Sequence, residues 1–570
     1  MLLIVFFAVG LTAFAVVLKG KALRQDLIFI ALIWSISLCL LLASVLVSSN
    51  LRGHDIHNEY RISSEVLTAH KWNFEVSDLY NSVVSMTLLV PMLTIMSGSD
   101  ALTVHILLLP LIYSIAPVVL YKVCRIGLCP RTSFLSTLLF MSFQTFYDEM
   151  TQLGRQEVGE VILLLLIWLL LSGEKSSRHN MARGVIAILL TVGLVTSHYS
   201  LAFIYLAFIV FSSVISLIVR RTVALANSQL VLMTIVATLS WYVFVAGGVA
   251  ILQFNQVSAK VVEGVLVDFF TPTSRPTGVL LALGLVPGMS GILHELNRIT
   301  QYVVQFCLIL GIIVFARKRQ MTRAEREMLP LMMMAFVFLV AAVALPFFAS
   351  ALQLTRIYHI ALLFIAPCFV YGVEQIDSAS RRIASFVKRF LCFRVRLPGS
   401  LPTGVKVKWV LAATILFSYF LFTSGWVWTI SLDRPESVIL DSGRMRGSGD
   451  PYLVAWYYDD LTALPDIMAA QWVRQGLATD RALCADVIAK FNVLTSYGGF
   501  PREGPNSVKT IRQACVLAKS YVYLSEYNSV GGFLYDERRS GFLDRFPISD
   551  IWSKLIVKNR VFSDGAAVYV

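Results

Sequence analysis

About twelve stretches of this 570-residue sequence are apolar over nearly the length needed to cross a hydrocarbon core of about 30 Å. They run near residues 1–18, 27–48, 100–121, 132–147, 157–172, 184–197, 200–219, 229–252, 300–316, 328–348, 357–373 and 408–429. In lipid every backbone polar group must find a partner inside the chain, so such stretches fold as helices. Composition points the same way. The chain is 57% apolar and 15% charged, against about 45–50% and about 25% in soluble proteins. A soluble enzyme, a disordered chain and a disulfide scaffold are excluded. The first stretch has no basic residue ahead of it and is followed by Lys19, Lys21 and Arg24, unlike a cleavable signal peptide.

The net charge of +13 would suggest nucleic acid as a partner in a soluble protein. Its distribution gives another reading. Taken alternately, one set of loops holds 24 basic residues and six acids, including the dense run from Arg381 to Lys408. The other set holds eight basic residues and thirteen acids. Basic loops stay on the cytoplasmic side, so the excess is a topology signal and nucleic acid is not an expected partner. Residues 50–80, 148–156 and 431–570 are then extracytoplasmic, in a multi-pass protein of the cell membrane.

From residue 431 the sequence regains ordinary polarity. Asp460–Gly476 reads as an amphipathic helix with an acidic first turn and Gly476 at its stop. Ala485–Ile488 and Tyr521–Leu524 read as short strands. The expected fold is mainly α: a polytopic helical membrane bundle over 1–430 and a small extracytoplasmic α/β domain over 431–570. Cys484 and Cys515 are the only cysteines after residue 431, where a disulfide can persist, and the expectation is that they pair.

Four polar clusters fall on the outer side. In Asp55-Ile-His57-Asn-Glu59-Tyr60, a helix puts Asp55 and Glu59 on one face, whereas an extended backbone aligns Asp55, His57 and Glu59. The second cluster runs from Asp148 and Glu149 to Arg155, Glu157 and Glu160. Its last two acids enter an apolar run, which is costly without a partner, and Arg155 could pair with either. The third is Ser197-His198-Tyr199-Ser200. The fourth is Arg356, at the mouth of a late span, where a guanidinium suits a phosphate. No phosphate-cradling Gly-Lys-Ser/Thr loop and no His-Glu-x-x-His occurs, which argues against ATP-driven transport and a membrane zinc protease.

An acidic first outer loop, an acid/Arg second loop, an Arg-topped late span and an outer C-terminal domain resemble the GT-C superfamily of membrane glycosyltransferases. The resemblance is closest to an archaeal multi-span group within it. It is carried by Asp55–Tyr60 (DIHNEY), Tyr80–Pro91 (YNSVVSMTLLVP), Phe143–Glu157 (FQTFYDEMTQLGRQE), Ser197–Ala202 (SHYSLA) and Asn559–Val570 (NRVFSDGAAVYV). It implies transfer of a sugar from a polyprenyl- or dolichyl-phosphate donor to an extracytoplasmic glycan or protein acceptor. Asp55, Glu59 and Glu149 become the expected catalytic residues, and Arg356 and Arg155 the donor-phosphate clamp. His198, Tyr199 and Glu157 become substrate contacts, and His57 a ligand for a divalent ion such as Mg or Mn. Here the motif is Asp-x-His-x-Glu rather than adjacent acids or Asp-x-Asp, so Asp55 and Glu59 stand as alternative bases and metal use stays open. A flippase or exporter of lipid-linked glycans, or a non-catalytic membrane scaffold, are the competing readings.

Overall fold

The computed structural model describes residues 25–76, 78–172, 177–219, 228–285, 289–390, 407–476, 481–501, 507–511, 520–537 and 543–569. Among these, six helices are long and apolar enough to cross a membrane: Gln25–Val45, Ala101–Arg125, Ser228–Val245, Ile292–Ala316, Arg323–Ala344 and Leu354–Ile383. Four shorter apolar helices accompany them: Ser85–Ser97, Met181–Ser197, Tyr199–Ile215 and Val407–Thr423. The expected span at 1–18 lies outside the described residues. The stretch at 132–147 forms only a 13-residue helix, Pro130–Ser142. The 157–172 stretch forms Gly154–Leu171, whose first turns carry Arg155, Glu157 and Glu160. Ser85–Ser97 was not among the expected spans, because its serines and threonines dilute the apolar signal.

The Leu354–Phe390 helix is the core of the bundle. Residues 359–370 are buried without interruption, as expected of a helix that is apolar all round. It crosses the Ile292–Ala316 helix at two glycines. A Cβ on Gly311 would stand 1.7 Å from the Cys368 carbonyl oxygen, and one on Gly372 would stand 2.0 Å from that of Cys307. Only hydrogen fits there, and the two backbones touch. Small residues allow this kind of approach, which substitutes for a hydrophobic driving force between helices in lipid.

The long segment from about 254 to 299 holds most of the Val249–Val267 helix, the short Thr277–Ala282 helix and the start of Ile292–Ala316. Phe270 is 92% exposed and Leu266 80%, so much of its apolar surface faces outward.

After the Leu464–Gly476 helix the chain builds a five-stranded sheet of order β2-β1-β3-β7-β6. Its strands are β1 Leu483–Ala485, β2 Lys509–Thr510, β3 Tyr521–Leu524, β6 Arg560–Asp564 and β7 Ala566–Tyr569. A separate hairpin pairs β4 Phe533–Glu537 with β5 Leu543–Pro547. β1 runs parallel to β2 and β3, whereas β7 is antiparallel to β3 and β6. Along β3, Tyr521 and Tyr523 pack with Val473, Leu483 and Val568 on one face. Val522 and Leu524 pack with Leu534, Ile551 and Leu555 on the other. Both faces are covered, which is why the strand reads as an unbroken apolar run.

The expected 485–488 strand is placed earlier. β1 ends at Ala485, and Asp486 instead accepts the amide of Ala489 at 2.8 Å to open a helical turn. The expected 460–476 helix begins at Leu464, because Asp460 closes the preceding helix, Pro451–Asp460. Cys484 is disulfide-bonded. Cys515, its expected partner, lies outside the described residues.

Candidate active site

The first polar loop is a helix, Asp55–Ala69, not an extended strand. Asp55 and Glu59 therefore share a face, and His57 points elsewhere. The start of this helix is fixed by Arg52, only 5% exposed. The Arg52 guanidinium pairs with Asp148 and, at 2.7 Å, with Asp460. The backbone amide of Gly53 donates to the Asp460 carbonyl at 2.8 Å. Gly53 has φ +83°, and a Cβ there would overlap the Gln152 side chain. One buried arginine thus ties the first loop, the second loop and the C-terminal region together around Asp55.

Asp55 is the hub of the site. Its Oδ2 lies 3.0 Å from Arg155 Nη2 and 3.4 Å from Arg356 Nη1, and its Oδ1 accepts from the Tyr80 hydroxyl at 3.2 Å. Arg155 is 3% exposed and lies with its guanidinium 4.8 Å above the Tyr80 ring and 5.7 Å from that of Tyr199. Its Nη1 donates to Glu59 Oε1 at 2.5 Å. Arg356 Nε stands 3.8 Å from Glu149 Oε2. Glu149 also accepts from the hydroxyls of Thr145 at 3.1 Å and Thr355 at 2.9 Å. Asp55, Glu149 and Arg356 therefore meet, although the chain separates Asp55 from Arg356 by 301 residues.

Arg155 turns away from its own helix for its partners. The expected pairing with Glu157 or Glu160 is not formed, because residues two or five positions on are not on the same helical face. Glu160 is fully buried and bonds to Tyr113 at 2.8 Å, His359 at 3.1 Å and Gln156 at 2.9 Å. Glu157 is 1% exposed, and its Oε1 has no hydrogen-bond partner among the described residues. His198 stacks on Tyr199, ring centroids 5.3 Å apart, and its Nδ1 accepts the Leu201 amide at 3.1 Å. This holds the His198–Tyr199 pair beside Arg155.

Asp55 and Glu59 share Arg155 but differ in environment. Burial raises the Asp55 carboxyl, and the charges of Arg155 and Arg356 outweigh it, holding it at about 2. Burial dominates at Glu59 and, with the nearby Asp55 charge, pushes it to about 7 despite Arg155. Glu149 is also raised, by burial first. Paired carboxylates pushed apart in this way take different roles. The Asp55 side chain retains 27% exposure and Glu59 none, so a substrate can reach Asp55 only.

His57 does not join the acids. It is fully buried, with Nε2 3.4 Å from the Thr462 hydroxyl and its ring edge-on to Tyr497. Burial pushes it down to about 3. Among the described residues no group of three or more His, Cys, Asp or Glu side chains is placed to hold a metal ion. The Asp55 oxygens already face two guanidinium groups and a hydroxyl. This donor set does not fit a divalent cation.

Tyr80, Arg52 and the partners of Glu160, Tyr113 and His359, were not singled out from sequence as parts of the site. Tyr80 sits in a motif quoted for the resemblance, and a polar aromatic residue just before an apolar run was its only signal.

A family model described as predicted membrane protein (DUF2206) matches residues 183–564. No curated protein matches the chain in sequence. Among solved structures, ArnT from Cupriavidus metallidurans bound to undecaprenyl phosphate is similar at 12% identity and TM-score 0.49, over 96% of this chain and 98% of that one. The oligosaccharyltransferase AglB from Archaeoglobus fulgidus, in complex with an inhibitory peptide and a dolichol-phosphate, is similar at 12% identity and TM-score 0.48, over 92% and 75%. The Archaeoglobus fulgidus enzyme in complex with Zn and sulfate matches at 12% identity and TM-score 0.44, over 91% and 73%.

Proposed function

We propose that this chain, which belongs to the DUF2206 family of predicted membrane proteins, is a glycosyltransferase of GT-C type with the acid–arginine cluster as its active site. It moves a sugar from a polyprenyl- or dolichyl-phosphate donor to an extracytoplasmic glycan or protein acceptor. In this reading residues 1–430 form the membrane domain and 431–570 an extracytoplasmic α/β domain.

One observation carries the proposal: a carboxylate open to substrate, Asp55, lies between two guanidinium groups, one of them, on Arg356, partly exposed. Transfer from a lipid phosphate needs a cation for the departing phosphate and a carboxylate for the acceptor proton around one bond. Arg356 is the phosphate clamp, with a fork of donors suited to an oxyanion. Its Nε is buried and makes no hydrogen bond among the described residues, so it has donor capacity to spare. Arg155, locked between Asp55 and Glu59, holds the base in place and supplies fixed positive charge.

The resting Asp55 is a weak base because two cations face it. A donor phosphate that draws Arg356 to itself removes one of them, and the Asp55 carboxylate then gains basicity when the donor is bound. Glu149 orients the acceptor from the far side of Arg356, and His198 and Tyr199 line the donor's approach beside Arg155. In this reading Glu59 remains behind Arg155 as a structural acid, and its lack of exposure supports Asp55 as the base.

Membranes containing the protein, given a radiolabelled polyprenyl-phosphate sugar, are expected to pass the label to a water-soluble or protein-bound acceptor. Movement of the intact lipid-linked sugar across the membrane with no transfer would overturn this reading in favour of a flippase.

A further inference from the structure

We propose that Glu160 is a positioning residue for transfer: bonded to His359, it holds the helix that carries Arg155 in register with the helix that carries Arg356 once Asp55 has taken the acceptor proton. The inference rests on the transfer reading of the site. Asp55 Oδ2 faces both guanidinium groups, Arg155 at 3.0 Å and Arg356 at 3.4 Å. Its charge keeps two cations close that would otherwise repel. In the transfer step the acceptor oxygen or nitrogen bonds to the anomeric carbon of the sugar, and its proton goes to Asp55. The bond from that carbon to the phosphate oxygen breaks, and its electron pair leaves with the phosphate. Asp55 is then neutral, and the two cations lose the anion between them while the departing phosphate still needs Arg356 in place.

A second link lies deeper in the bundle. His359 is three residues after Arg356 on the same face of the Leu354–Phe390 helix, about 4.5 Å further along its axis. Glu160 is five residues after Arg155 in the Gly154–Leu171 helix, about 7.5 Å further along. The two side chains are fully buried and meet, with His359 Nε2 3.1 Å from Glu160 Oε2. The Tyr113 hydroxyl, from the Ala101–Arg125 helix, donates to the same oxygen at 2.8 Å, and Gln156 donates to Oε1 at 2.9 Å. The His359 ring lies between Phe140 and Phe146, centroids 4.7 Å and 6.5 Å away.

This link differs from ordinary packing in two ways. Among the described residues the two arginine-bearing helices lack extended packing against each other, so the Glu160–His359 bond joins elements that backbone contact does not. None of the hydrogen bonds of Glu160 or His359 runs to Asp55 among the described residues, so the link survives neutralisation of that carboxylate. A carboxylate this deep is costly without partners. Glu160 has three donors from three helices' worth of contacts around it, and they fix its position. A displacement of about 1 Å at a reacting centre can cost about 100-fold in rate.

The test varies a radiolabelled polyprenyl-phosphate sugar over membranes containing each variant. Sites that bind polyprenyl phosphate, titrated on the purified full chain in detergent, supply the enzyme concentration, so misfolded protein is not counted. Glu160→Ala should lower the maximal transfer rate per site by about 100-fold, with the half-saturating donor concentration changed by less than about threefold. His359→Leu breaks the same link from the other helix and leaves Glu160 its bonds to Tyr113 and Gln156. It should lower the rate equally, and the double variant should cost no more than either single one. Glu160→Gln keeps an acceptor for His359 and Tyr113 and should retain the rate within about threefold. An unchanged maximal rate per site in folded Glu160→Ala or His359→Leu, a loss confined to donor affinity, or loss of the polyprenyl-phosphate sites in both variants would overturn the inference while transfer by the unaltered chain still upheld the reading beneath it. Absence of transfer by the unaltered chain would overturn that reading, and the inference with it.

Discussion

Replacing Gly311 by alanine places a methyl group where the backbone of another helix already stands. Its Cβ would lie 1.7 Å from the Cys368 oxygen, and that of Gly372→Ala 2.0 Å from the Cys307 oxygen. Real contacts essentially never fall below 3.0 Å, so the shortfalls are 1.3 Å and 1.0 Å. Both obstacles are backbone and cannot swing aside, so the Ile292–Ala316 and Leu354–Phe390 helices must part. Overpacking of a well-packed core costs about 1–3 kcal/mol, and here the loss extends to neighbouring contacts along the crossing. Each variant should therefore lower the thermal midpoint of the purified protein in detergent. The double variant should lose less than the sum, because one outward displacement relieves both clashes. Gly443→Ala is the control, since its added Cβ meets nothing within 4 Å. Removing a helical glycine there should be neutral or stabilising by up to about 1 kcal/mol. Unchanged midpoints for Gly311→Ala and Gly372→Ala would refute the close crossing and the placement of Arg356 that depends on it.

Arg356→Lys should retain a point charge but lose the fork, weakening donor use by about tenfold. Arg356→Ala should weaken it further, by roughly 100-fold, as read from the donor concentration dependence of transfer. The two loop acids should respond to pH in opposite directions. Glu59, raised to about 7, holds a proton that the unfolded chain releases above its ordinary value of 4.5, so its burial lowers stability as pH rises from 4.5 through about 7. Glu59→Gln should flatten that decline in thermal midpoints taken between pH 5 and pH 8, and an unchanged slope would contradict the assignment. Asp55, held at about 2, contributes stability present above its ordinary 3.8 and lost as pH falls toward 2, a loss that Asp55→Asn should not show.

How far the sequence led can be judged residue by residue. Apolar length was the strongest signal, and it located the helices around Ile33, Val119, Ile312 and Phe364. It did not separate the 13-residue Pro130–Ser142 from a full span, because run length cannot tell a buried helix from a crossing one. Asp55, Glu149 and Arg356 were legible because ionisable groups beside apolar runs are costly without a purpose. Their partners were not. Arg155 has two acids close by in sequence and pairs with two others 96 and 100 residues away, since helix phase points it off its own helix. The Tyr113–Glu160–His359 group was hidden for the same reason, each member coming from a different helix. His57 looked like a ligand because of its spacing from Asp55, but the helix that unites Asp55 and Glu59 turns His57 toward Thr462.

The central claim is that Asp55 takes the proton of the acceptor during sugar transfer. The most direct measurement is transfer from a radiolabelled polyprenyl-phosphate sugar in membranes, comparing the unaltered chain with Asp55→Asn and Glu65→Gln. Glu65 lies on the same helix, pairs only with Arg61 at 2.6 Å among the described residues, and is 58% exposed. The account predicts nearly complete loss of transfer in Asp55→Asn at normal protein levels, with Glu65→Gln close to unaltered. Full transfer by Asp55→Asn would contradict it.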